Sequence, residues 1–412
     1  MDLLRSVSHP DEILALVRYK LGDCRAVLPQ CDPELMSPTL RKCYDYLRLT
    51  SRSFAAVIQA LDDELRDSVC IFYLVLRALD TVEDDMTIPN KVKLPILRSF
   101  YKNLLDPKWC YTESKEKDRI VLDDFPTISY EFRQLSAVSR EVISDICRQM
   151  GEGMCVYMER NVETLADWDE YCHYVAGLIG IGLSKLFSAS GLEGEFVGKD
   201  LDLANRMGLF LQRTNIIRDY LEDSEEGREF WPKQVWSKYA KNLRDFAHPH
   251  HRGEAVNCLN DLITRTLELI PDCIKYMSRL QNKSVFQFCA IPQVMAIATL
   301  ERCYSNPSVF TGVVKIRKGE AVKMIMGSSS TEKVKAIMVH YTNEIAGRIP
   351  AKDPNAEKTR KLCEDVLACC KTKHEYTTSS IYPPLYVSCA MMLVAISYNY
   401  WSQIEAVYHS MT

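Results

Sequence analysis

The chain has 412 residues, 26% of them charged, and a formal net charge of −4, because 51 basic residues nearly balance 55 acidic ones. This balance gives no basic field for nucleic acid, and no zinc-finger spacing or RNA-binding aromatic motif occurs, so nucleic acid is not an expected partner. The 16 cysteines follow no disulfide framework, and the N-terminus lacks an apolar signal core, which favours reduced thiols facing the cytosol.

Helical periodicity dominates the chain and period-two alternation is nearly absent, so the predicted fold class is all-α. The length alone allows either one large core or two to three domains. The main predicted helices cover 140–158, 168–188, 201–221, 255–280 and 291–304. These are too many for a four-helix bundle, and we expect a larger bundle around a central cavity.

The first chemical motif along the chain is an acidic cluster at the end of an apolar helical stretch. Asp80, Glu83 and Asp84 follow the spacing i, i+3, i+4, which places them on one helix face. Tyr73 and Arg77 precede them on the same stripe. A mixed-charge stripe on an otherwise apolar helix predicts a face that lines something specific.

Two intervening segments are predicted to carry no chemistry. The polar segment 105–124 contains five consecutive charged residues, 115–119, and is interpreted as an exposed linker. The glycines Gly177, Gly180 and Gly182 imitate part of a dinucleotide-binding motif, but no βαβ pattern surrounds them. We therefore expect them to allow close packing of helices.

A second acidic cluster repeats the spacing of the first. Asp219, Glu222 and Asp223 follow an apolar stretch in which Gln212 and Asn215 continue the same polar stripe. Polar stripes within apolar helices are typical of cavity walls. Two facing carboxylate sets suggest a site for Mg²⁺, which prefers oxygen ligands and is often completed by substrate phosphates.

The alternative is that both clusters are acidic helix ends turned to solvent. Pro89 and the region of Gly227 end the two segments soon after the acids. The carboxylates would then lie near helix C-termini, where the helix dipole disfavours negative charge. Bound cations would offset that cost, and the duplication favours a functional site for a diphosphate ester.

The C-terminal region is uncharged from Tyr376 to Ile404. Its apolar centre has nearly the length needed to span a bilayer, and aromatic residues flank it, so residues 381–404 are predicted as a membrane anchor. Lys371 and Lys373 precede it and favour a cytoplasmic location of the preceding domain. A buried or interfacial helix is the alternative, because Pro383 and Pro384 weaken the span.

Five segments together resemble the squalene/phytoene synthase family. They are Ser-Arg-Ser-Phe-Ala-Ala-Val-Ile at 51–58, Asp-Thr-Val-Glu-Asp at 80–84, Tyr-Cys-His-Tyr-Val-Ala-Gly at 171–177, Asp-Tyr-Leu-Glu-Asp at 219–223 and Phe-Cys-Ala-Ile-Pro-Gln at 288–293. The resemblance extends over most of the chain. It implies an isoprenoid synthase fold, with an N-terminal segment (1–35), a catalytic domain (36–350), a linker (351–380), the anchor (381–404) and a short tail (405–412).

The resemblance also implies an activity. Two molecules of farnesyl diphosphate would be joined head to head in a Mg²⁺-dependent step to presqualene diphosphate, and NADPH would then reduce the rearranged product to squalene for sterol biosynthesis. A related synthase without the reductive step, similar to those that form phytoene, is one alternative. A catalytically silent, membrane-tethered isoprenoid-binding protein is another.

Residue roles carried over from the family divide into four sets. The metal ligands would be Asp80, Glu83, Asp84, Asp219 and Asp223, and the catalytic set would add Tyr171 and Phe288 to Asp80, Asp84, Asp219 and Asp223. The cofactor set would be Arg52, Arg77, Arg218, Lys315 and Arg317, and the first three of these would neutralise phosphates together with Arg228. The substrate set would be Ser51, Ser53, Tyr73, Gln212, Asn215 and Arg228.

From the residues alone, Tyr171 and Phe288 would be interpreted as core, and the segment around Lys315 as a solvated basic loop. The family further implies a monomer in the endoplasmic reticulum membrane, with the catalytic domain in the cytosol and farnesyl diphosphate and the lipid bilayer as partners.

Overall fold

The computed structural model describes residues 9–21, 36–51, 54–374 and 376, and this part of the chain contains helices and no β-strand. The predicted all-α class is confirmed. Arg52 and Ser53 lie outside the described residues, as do the predicted anchor 381–404 and the tail 405–412.

The first group of helices covers residues 10–172. In chain order it comprises α1 (Pro10–Leu21), α2 (Pro38–Thr50), α3 (Phe54–Gln59), α4 (Asp63–Asp84), α5 (Asn90–Asn103), α6 (Ile120–Asp123), α7 (Phe125–Gln134), α8 (Ala137–Tyr157) and α9 (Leu165–Cys172).

The second group completes the bundle. It comprises a π-helical segment (His173–Gly177), α10 (Leu178–Ala189), α11 (Glu195–Lys199), α12 (Leu201–Arg218), α13 (Tyr220–Glu225), α14 (Lys233–Trp236), α15 (Arg252–Leu267), α16 (Ile270–Met277), α17 (Lys283–Cys303), α18 (Lys318–Gly327), α19 (Thr331–Gly347) and α20 (Ala356–Cys369). Short 3₁₀ turns cover Leu243–Ala247, Pro249–His251 and Pro307–Phe310.

Helix α4 runs through the core of the bundle. Cys70, Ile71, Leu74 and Val75 are completely buried, as expected for a helix that is apolar nearly all round. Its N-terminus is tied to that of α17, because the Asn282 amide donates to the Asp62 carboxylate at 3.0 Å while Asn282 also caps α17. The two helices therefore begin next to each other.

Small residues bring α12 into backbone contact with α10 and with the π-helical segment that precedes α10. A Cβ atom added to Gly180 would lie 2.3 Å from the carbonyl oxygen of Ala204, and one added to Gly208 would lie 2.3 Å from that of Ala176. Only glycine fits such an approach. Close helix packing, as predicted for the glycine run, is confirmed.

Helix boundaries differ from the predictions where proline or a local rearrangement intervenes. The predicted helix 255–280 is two helices, α15 and α16, and Pro271 lies in the first turn of the second, where its missing N–H is tolerated. The predicted helix 168–188 is interrupted by the π-helical segment. Helix α17 begins before the predicted 291 and continues through Pro292.

The segment 105–124 is not a merely exposed linker, so that interpretation is wrong in part. Trp109 packs edge to face on Phe100 and Phe125, with ring centroids 5.2 and 5.1 Å away. Buried Ser114 donates to the Asp85 carboxylate at 2.7 Å. Asp85 follows the first acidic cluster directly, so this segment is fastened beside the candidate site.

The packed body continues beyond residue 350. Helix α20 lies against α15, where the hydroxyls of Thr264 and Thr359 are 2.7 Å apart, and Asn260 donates to Asp353 at 2.7 Å. The predicted linker therefore includes a packed helix, although the domain boundaries themselves remain a prediction.

Among the described residues, two helical stretches are long and apolar enough to cross a membrane: Leu165–Ala189 and Lys283–Cys303. The apolar window of the second is 83% buried, which is typical of a core helix. Both stretches contribute to the cavity described below.

Candidate active site

The first acidic cluster lies on the last turn of α4, as predicted. Asp80 is 27% exposed, and its carboxylate is 3.9 Å from the guanidinium of Arg77. Arg77 in turn lies 4.0 Å from Asp118 and donates to the Tyr73 hydroxyl at 3.3 Å. The stripe predicted from the sequence is therefore a continuous polar ridge on an otherwise buried helix.

Two carboxyl groups of this cluster, those of Asp80 and Glu83, have raised pKa values. Burial raises the pKa of Asp80 to about 7; Arg77 opposes the rise, whereas Asp84 and Asp118 add to it. The Asp80 side chain keeps some exposed surface, but that surface faces a cavity with protein on its other sides, so hydration is weak. Burial and then the charge of Asp84 raise the pKa of Glu83.

A buried lysine supports the same turn from behind. Lys93 is 3% exposed and donates to the backbone carbonyl of Glu83 at 2.6 Å. Burial lowers the pKa of Lys93, although the neighbouring acids oppose that shift. The lysine thus satisfies a carbonyl at the helix C-terminus, where a cation interacts favourably with the dipole.

The second acidic cluster lies at a break between two helices. Asp219 follows the last residue of α12 and precedes α13, and Arg218 binds its carboxylate with two hydrogen bonds of 2.6 and 2.7 Å. Burial raises the pKa of Asp223 to about 6, against the lowering effect of Arg228. Glu222 is exposed, and its charge acts on Arg218, the arginine that binds Asp219; that the three acids form one ledge stays a prediction.

Arg228 joins the two clusters. Its guanidinium lies 3.0 Å from Asp223 and 3.6 Å from Asp84, and it also reaches Glu226 at 2.7 Å. The acids at the end of α4 and those at the start of α13 therefore face each other across one cation. This juxtaposition is what the duplicated motif predicts.

Tyr171 lies beside this junction. It is 6% exposed, and its ring stacks on Phe230 with centroids 4.7 Å apart and planes at 12°. Burial and then the negative charge of Glu83 raise the pKa of its phenol, with Asp223 contributing in the same sense. A tyrosine that senses both acidic clusters is placed between them and not in a remote part of the core.

An apolar cavity of about 320 Å³ opens next to the first cluster. Its walls come from α3, α4, the π-helical segment, α10, α12, α16 and α17. The predicted residues Tyr73, Arg77, Asp80, Gln212, Asn215 and Phe288 all line it. Phe288 packs edge to face on Phe187, with centroids 5.9 Å apart. The cavity therefore brings together polar groups at one end and aliphatic and aromatic walls elsewhere.

A π-helical turn forms part of this wall. Val175 and Ala176 lie within the segment His173–Gly177 and line the cavity. The same turn is held by Asn205, whose carboxamide oxygen is 2.8 Å from His173 Nδ1. Single π-turns occur frequently at functional sites.

A wider groove of about 430 Å³ lies elsewhere on α9 and α12. It is lined largely by charged residues, and its Arg213 already binds Asp169 and donates to the Arg265 carbonyl at 3.0 Å. Two nitrogens of this arginine are therefore already engaged within the fold, while its Nε finds no hydrogen-bond partner among the described residues. The apolar cavity therefore fits an apolar substrate better than this charged groove does.

The donor set of the two clusters fits Mg²⁺. In the part of the chain that the structure describes, no three His, Cys, Asp or Glu side chains converge into a closed metal cage. Mg²⁺ does not require one, because it keeps several waters and is commonly held by one or two carboxylates plus substrate phosphates. Burial raises the pKa values of Asp80 and Asp223, and bound cations would offset the cost of ionising these buried groups.

The predicted cofactor and substrate residues differ in their exposure and in their hydrogen-bond and ionic partners. Ser51 is 6% exposed, and its hydroxyl finds no hydrogen-bond partner among the described residues. Lys315 is exposed, whereas Arg317 is half-buried and binds Glu12 of α1 at 2.6 Å and Glu320 at 3.4 Å. Lys315 is thus displayed to solvent, and Arg317 serves first to hold α1.

Three residues of the site escaped the sequence analysis. Asp118, in the segment interpreted as a linker, shapes the charge around Arg77 and Asp80. Phe230 stacks on Tyr171. Lys93 supports Glu83. None has a periodic relation to the acidic motifs, so spacing could not identify them; only the position of Phe230 soon after the second motif gave a hint.

Comparison with known proteins gives a consistent result. The sequence pattern of the family described as Squalene/phytoene synthase matches residues 47–320. Squalene synthases of Mus musculus and Homo sapiens are each 54% identical over 407 residues, covering 99% of this chain and 98% of theirs. Squalene synthase 2 of Panax ginseng is 43% identical over 96% of this chain. A solved complex of TcSQS with a ligand superposes with a TM-score of 0.79 at 44% identity, covering 81% of this chain and 99% of that chain.

Proposed function

The chain belongs to the squalene/phytoene synthase family as an enzyme of the squalene synthase type, and on this premise we propose its reaction in detail. It joins two farnesyl diphosphates head to head in a Mg²⁺-dependent step to presqualene diphosphate, and then rearranges and reduces that product with NADPH to squalene, a precursor for sterol biosynthesis. The observation that carries the proposal is the junction of two acidic clusters at the polar end of an apolar cavity.

The acidic clusters hold the diphosphate end of the substrate. Asp80, Glu83 and Asp84 on one side and Asp219 and Asp223 on the other would hold Mg²⁺, which would neutralise the diphosphate and favour its departure. None of these carboxylates attacks the substrate; their role is to bind and position.

Arginines complete the binding of the leaving group. Arg77, Arg218 and Arg228 each lie within 4 Å of a carboxylate of the clusters. Guanidinium groups suit phosphate oxygens because their planar fork can donate two parallel hydrogen bonds. We expect these arginines to exchange part of their contact with the acids for contact with the diphosphate.

The cavity walls protect the reactive carbon chain. Loss of diphosphate leaves an allylic cation, which water would quench, so the apolar walls around Phe72, Phe187 and Phe288 serve to exclude water. The faces of the aromatic rings also stabilise positive charge. The volume of about 320 Å³ lies at the lower end of the range for ligand pockets of roughly 300 to 1,000 Å³.

Tyr171 is proposed to assist the first condensation. Its phenol lies where Glu83 and Asp223 both influence its pKa, and the stacking of its ring on Phe230 fixes its orientation. A raised pKa keeps the phenol protonated at neutral pH, so it would act as a hydrogen-bond donor or as one member of a proton relay, not as a free phenolate.

The cofactor is proposed to bind through basic side chains and not through a glycine-rich turn. NADPH would supply the hydride for the second half of the reaction. Lys315 is exposed and available for its phosphates. Arg317, Arg218 and Arg77 complete the described part of the proposed cofactor set, to which Arg52 is added by family resemblance.

The enzyme is further proposed to be a monomer held in the endoplasmic reticulum membrane by residues 381–404, with its catalytic body in the cytosol. Support for the anchor comes from the uncharged sequence after Tyr376. A membrane location suits both a substrate with a farnesyl chain and a hydrocarbon product.

The test is product analysis of the full chain in detergent, incubated with farnesyl diphosphate and Mg²⁺ with and without NADPH. Squalene that appears only with NADPH is the expected result. Diphosphate release without a reduced product would leave a synthase that lacks the reductive step. No release from folded protein would contradict the proposal and favour a silent isoprenoid-binding protein.

A further inference from the structure

Helix α1 is oriented opposite to an ordinary surface helix. Glu12 is 3% exposed and Ala15 is 7% exposed, whereas Ile13, Leu14 and Val17 are 38%, 36% and 45% exposed. A helix on the surface of a soluble domain normally buries its aliphatic stripe and displays its charges. Here a carboxylate is inside and three neighbouring aliphatic side chains are outside.

Specific contacts fix this orientation. Glu12 accepts hydrogen bonds from Arg317 at 2.6 and 2.9 Å, and Asp11 binds Lys323 at 2.7 Å. Gly319 makes the approach possible, because a Cβ atom added there would lie 2.5 Å from that of Glu12. Since the acidic face is matched to α18 in this way, rotating α1 to bury its aliphatic residues would leave Glu12 and Arg317 without each other.

The described chain ends next to this helix. Lys323, which binds Asp11, lies 5.3 Å from the ring centroid of Tyr376. The proposed anchor begins five residues later, at 381, and five extended residues span at most about 18 Å. A 12-residue helix such as α1 is itself about 18 Å long. The exposed face of α1 is therefore within reach of the membrane surface that the anchor would enter.

We propose that Ile13, Leu14 and Val17 of α1 insert into the interfacial layer of the same bilayer that holds the C-terminal segment. Exposed Arg18 follows this stripe and is placed to reach lipid phosphates while its stem stays among the acyl chains. The inference rests on the proposed anchor. It adds a second membrane contact that fixes how the catalytic body is oriented on the membrane.

The experiment places a tryptophan on the proposed surface of the full chain. Val17→Trp is compared with Val138→Trp, because Val138 is also an exposed valine, at 53%, and lies near the start of α8. The emission of the wild-type protein, which comes from its five native tryptophans, is subtracted from that of each variant. Each protein is reconstituted into vesicles of phosphatidylcholine and phosphatidylserine, with and without brominated acyl chains. Vesicle flotation and quenching of the native Trp401, which lies in the proposed anchor, report on anchor insertion separately.

Loss of the added Val17→Trp emission in brominated vesicles, with the Val138→Trp emission unchanged, is the expected result. If the protein floats but the Val17→Trp emission is unquenched, α1 does not touch lipid and the inference is wrong. The emission wavelength of Val17→Trp would then show what covers this face of α1: a blue shift would indicate a second copy of the chain, and a red shift would indicate water. Failure to float would overturn the anchor and this inference together. Leu14→Trp repeats the test if circular dichroism shows that Val17→Trp disturbs the fold.

Discussion

Arg228, which follows the second acidic motif in the chain, lies 3.6 Å from Asp84 of the first. The same guanidinium is 3.0 Å from Asp223. One side chain therefore connects carboxylates from two helices that are far apart in sequence, and without it the acids at the junction would repel one another across a partly desolvated gap.

Replacement of Arg228 by glutamine is expected to destabilise the metal-free protein by about 1 to 3 kcal/mol, because partly buried acids lose their charged partner. Mg²⁺ should restore more stability to the variant than to the wild type, since it supplies the missing positive charge. Thermal unfolding of the full chain in detergent, with EDTA or with Mg²⁺, measures both effects.

Arg244→Gln is the matched control, because Arg244 is 62% exposed and its partner Glu229 is 3.8 Å away. Exposed pairs of this kind contribute about 0 to 1 kcal/mol. If Arg228→Gln and Arg244→Gln shifted the melting temperature equally in EDTA, the bridging role of Arg228 would be refuted.

Asp80→Asn and Asp219→Asn are each expected to reduce diphosphate release by more than about 100-fold, the upper end of what loss of an outer-shell metal contact costs. Both proteins should keep the helical circular dichroism spectrum of the wild type. Glu222→Gln provides the control, because Glu222 belongs to the second motif in sequence but is exposed in the structure. Unchanged turnover in both aspartate variants would remove the proposed metal roles.

Binding of Mg²⁺ near neutral pH is expected to release protons. The pKa of Asp80 is raised to about 7 and that of Asp223 to about 6, so both groups are partly protonated there in the metal-free protein, and a metal ion must displace those protons. Affinity should rise as the pH increases through this range. Calorimetry in two buffers with different ionisation enthalpies counts the protons.

The same pKa shifts determine whether the free energy of unfolding rises or falls with pH. A carboxyl whose pKa is raised by folding binds more protons in the folded than in the unfolded state, so the metal-free protein should lose stability as the pH rises from about 4 to 7. Asp80→Asn should lessen that loss. In the calorimetry of Mg²⁺ binding, absence of proton release at pH 6.5 would show that Asp80 and Asp223 are already ionised in the metal-free protein.

Much of the site followed from sequence because helical spacing is a local property. Asp80, Arg77 and Tyr73 share one stripe of α4 as predicted, and Gln212 and Asn215 line the same cavity from α12. Period and composition determine which side of a helix is polar. The duplication of the motif then indicated that two helix ends face each other.

The remaining features depend on contacts between distant segments. Asp118 reaches Arg77 only because Ser114 and Trp109 fasten its segment beside α4 and α5. The helix also breaks at Asp219, within the second acidic motif, so that this motif does not continue helix α12. Tertiary contacts and local breaks of this kind leave no trace in periodicity, and so the linker interpretation was wrong in part and the predicted helix 201–221 ended too late.

Lys315→Ala is expected to raise the Michaelis constant for NADPH while leaving diphosphate release without NADPH unchanged, because Lys315 is exposed and lies outside the acidic junction. Arg317→Ala should have a second effect, since it also releases Glu12 of α1. Steady-state kinetics of both half reactions, with proteolysis at α1 as the structural readout, separates the two roles. An equal loss of both half reactions in Lys315→Ala would refute the cofactor assignment.

Gly180→Ala is expected to destabilise the protein by about 1 to 3 kcal/mol, as overpacking of a well-packed core does. The new methyl group would lie 2.3 Å from the carbonyl oxygen of Ala204, and backbone cannot move aside as a flexible side chain can. Helices α10 and α12 would have to separate, which also reshapes the wall of the cavity.

Gly253→Ala, in α15, is the control: its added Cβ meets no atom within 4 Å, and loss of backbone freedom in the unfolded chain should stabilise the helix by up to about 1 kcal/mol. Thermal unfolding in detergent therefore distinguishes steric contact from a general effect of removing glycine, and opposite signs for the two variants are the expected outcome. If Gly180→Ala were as stable as wild type, the backbone contact between α10 and α12 would not limit the packing of the cavity wall.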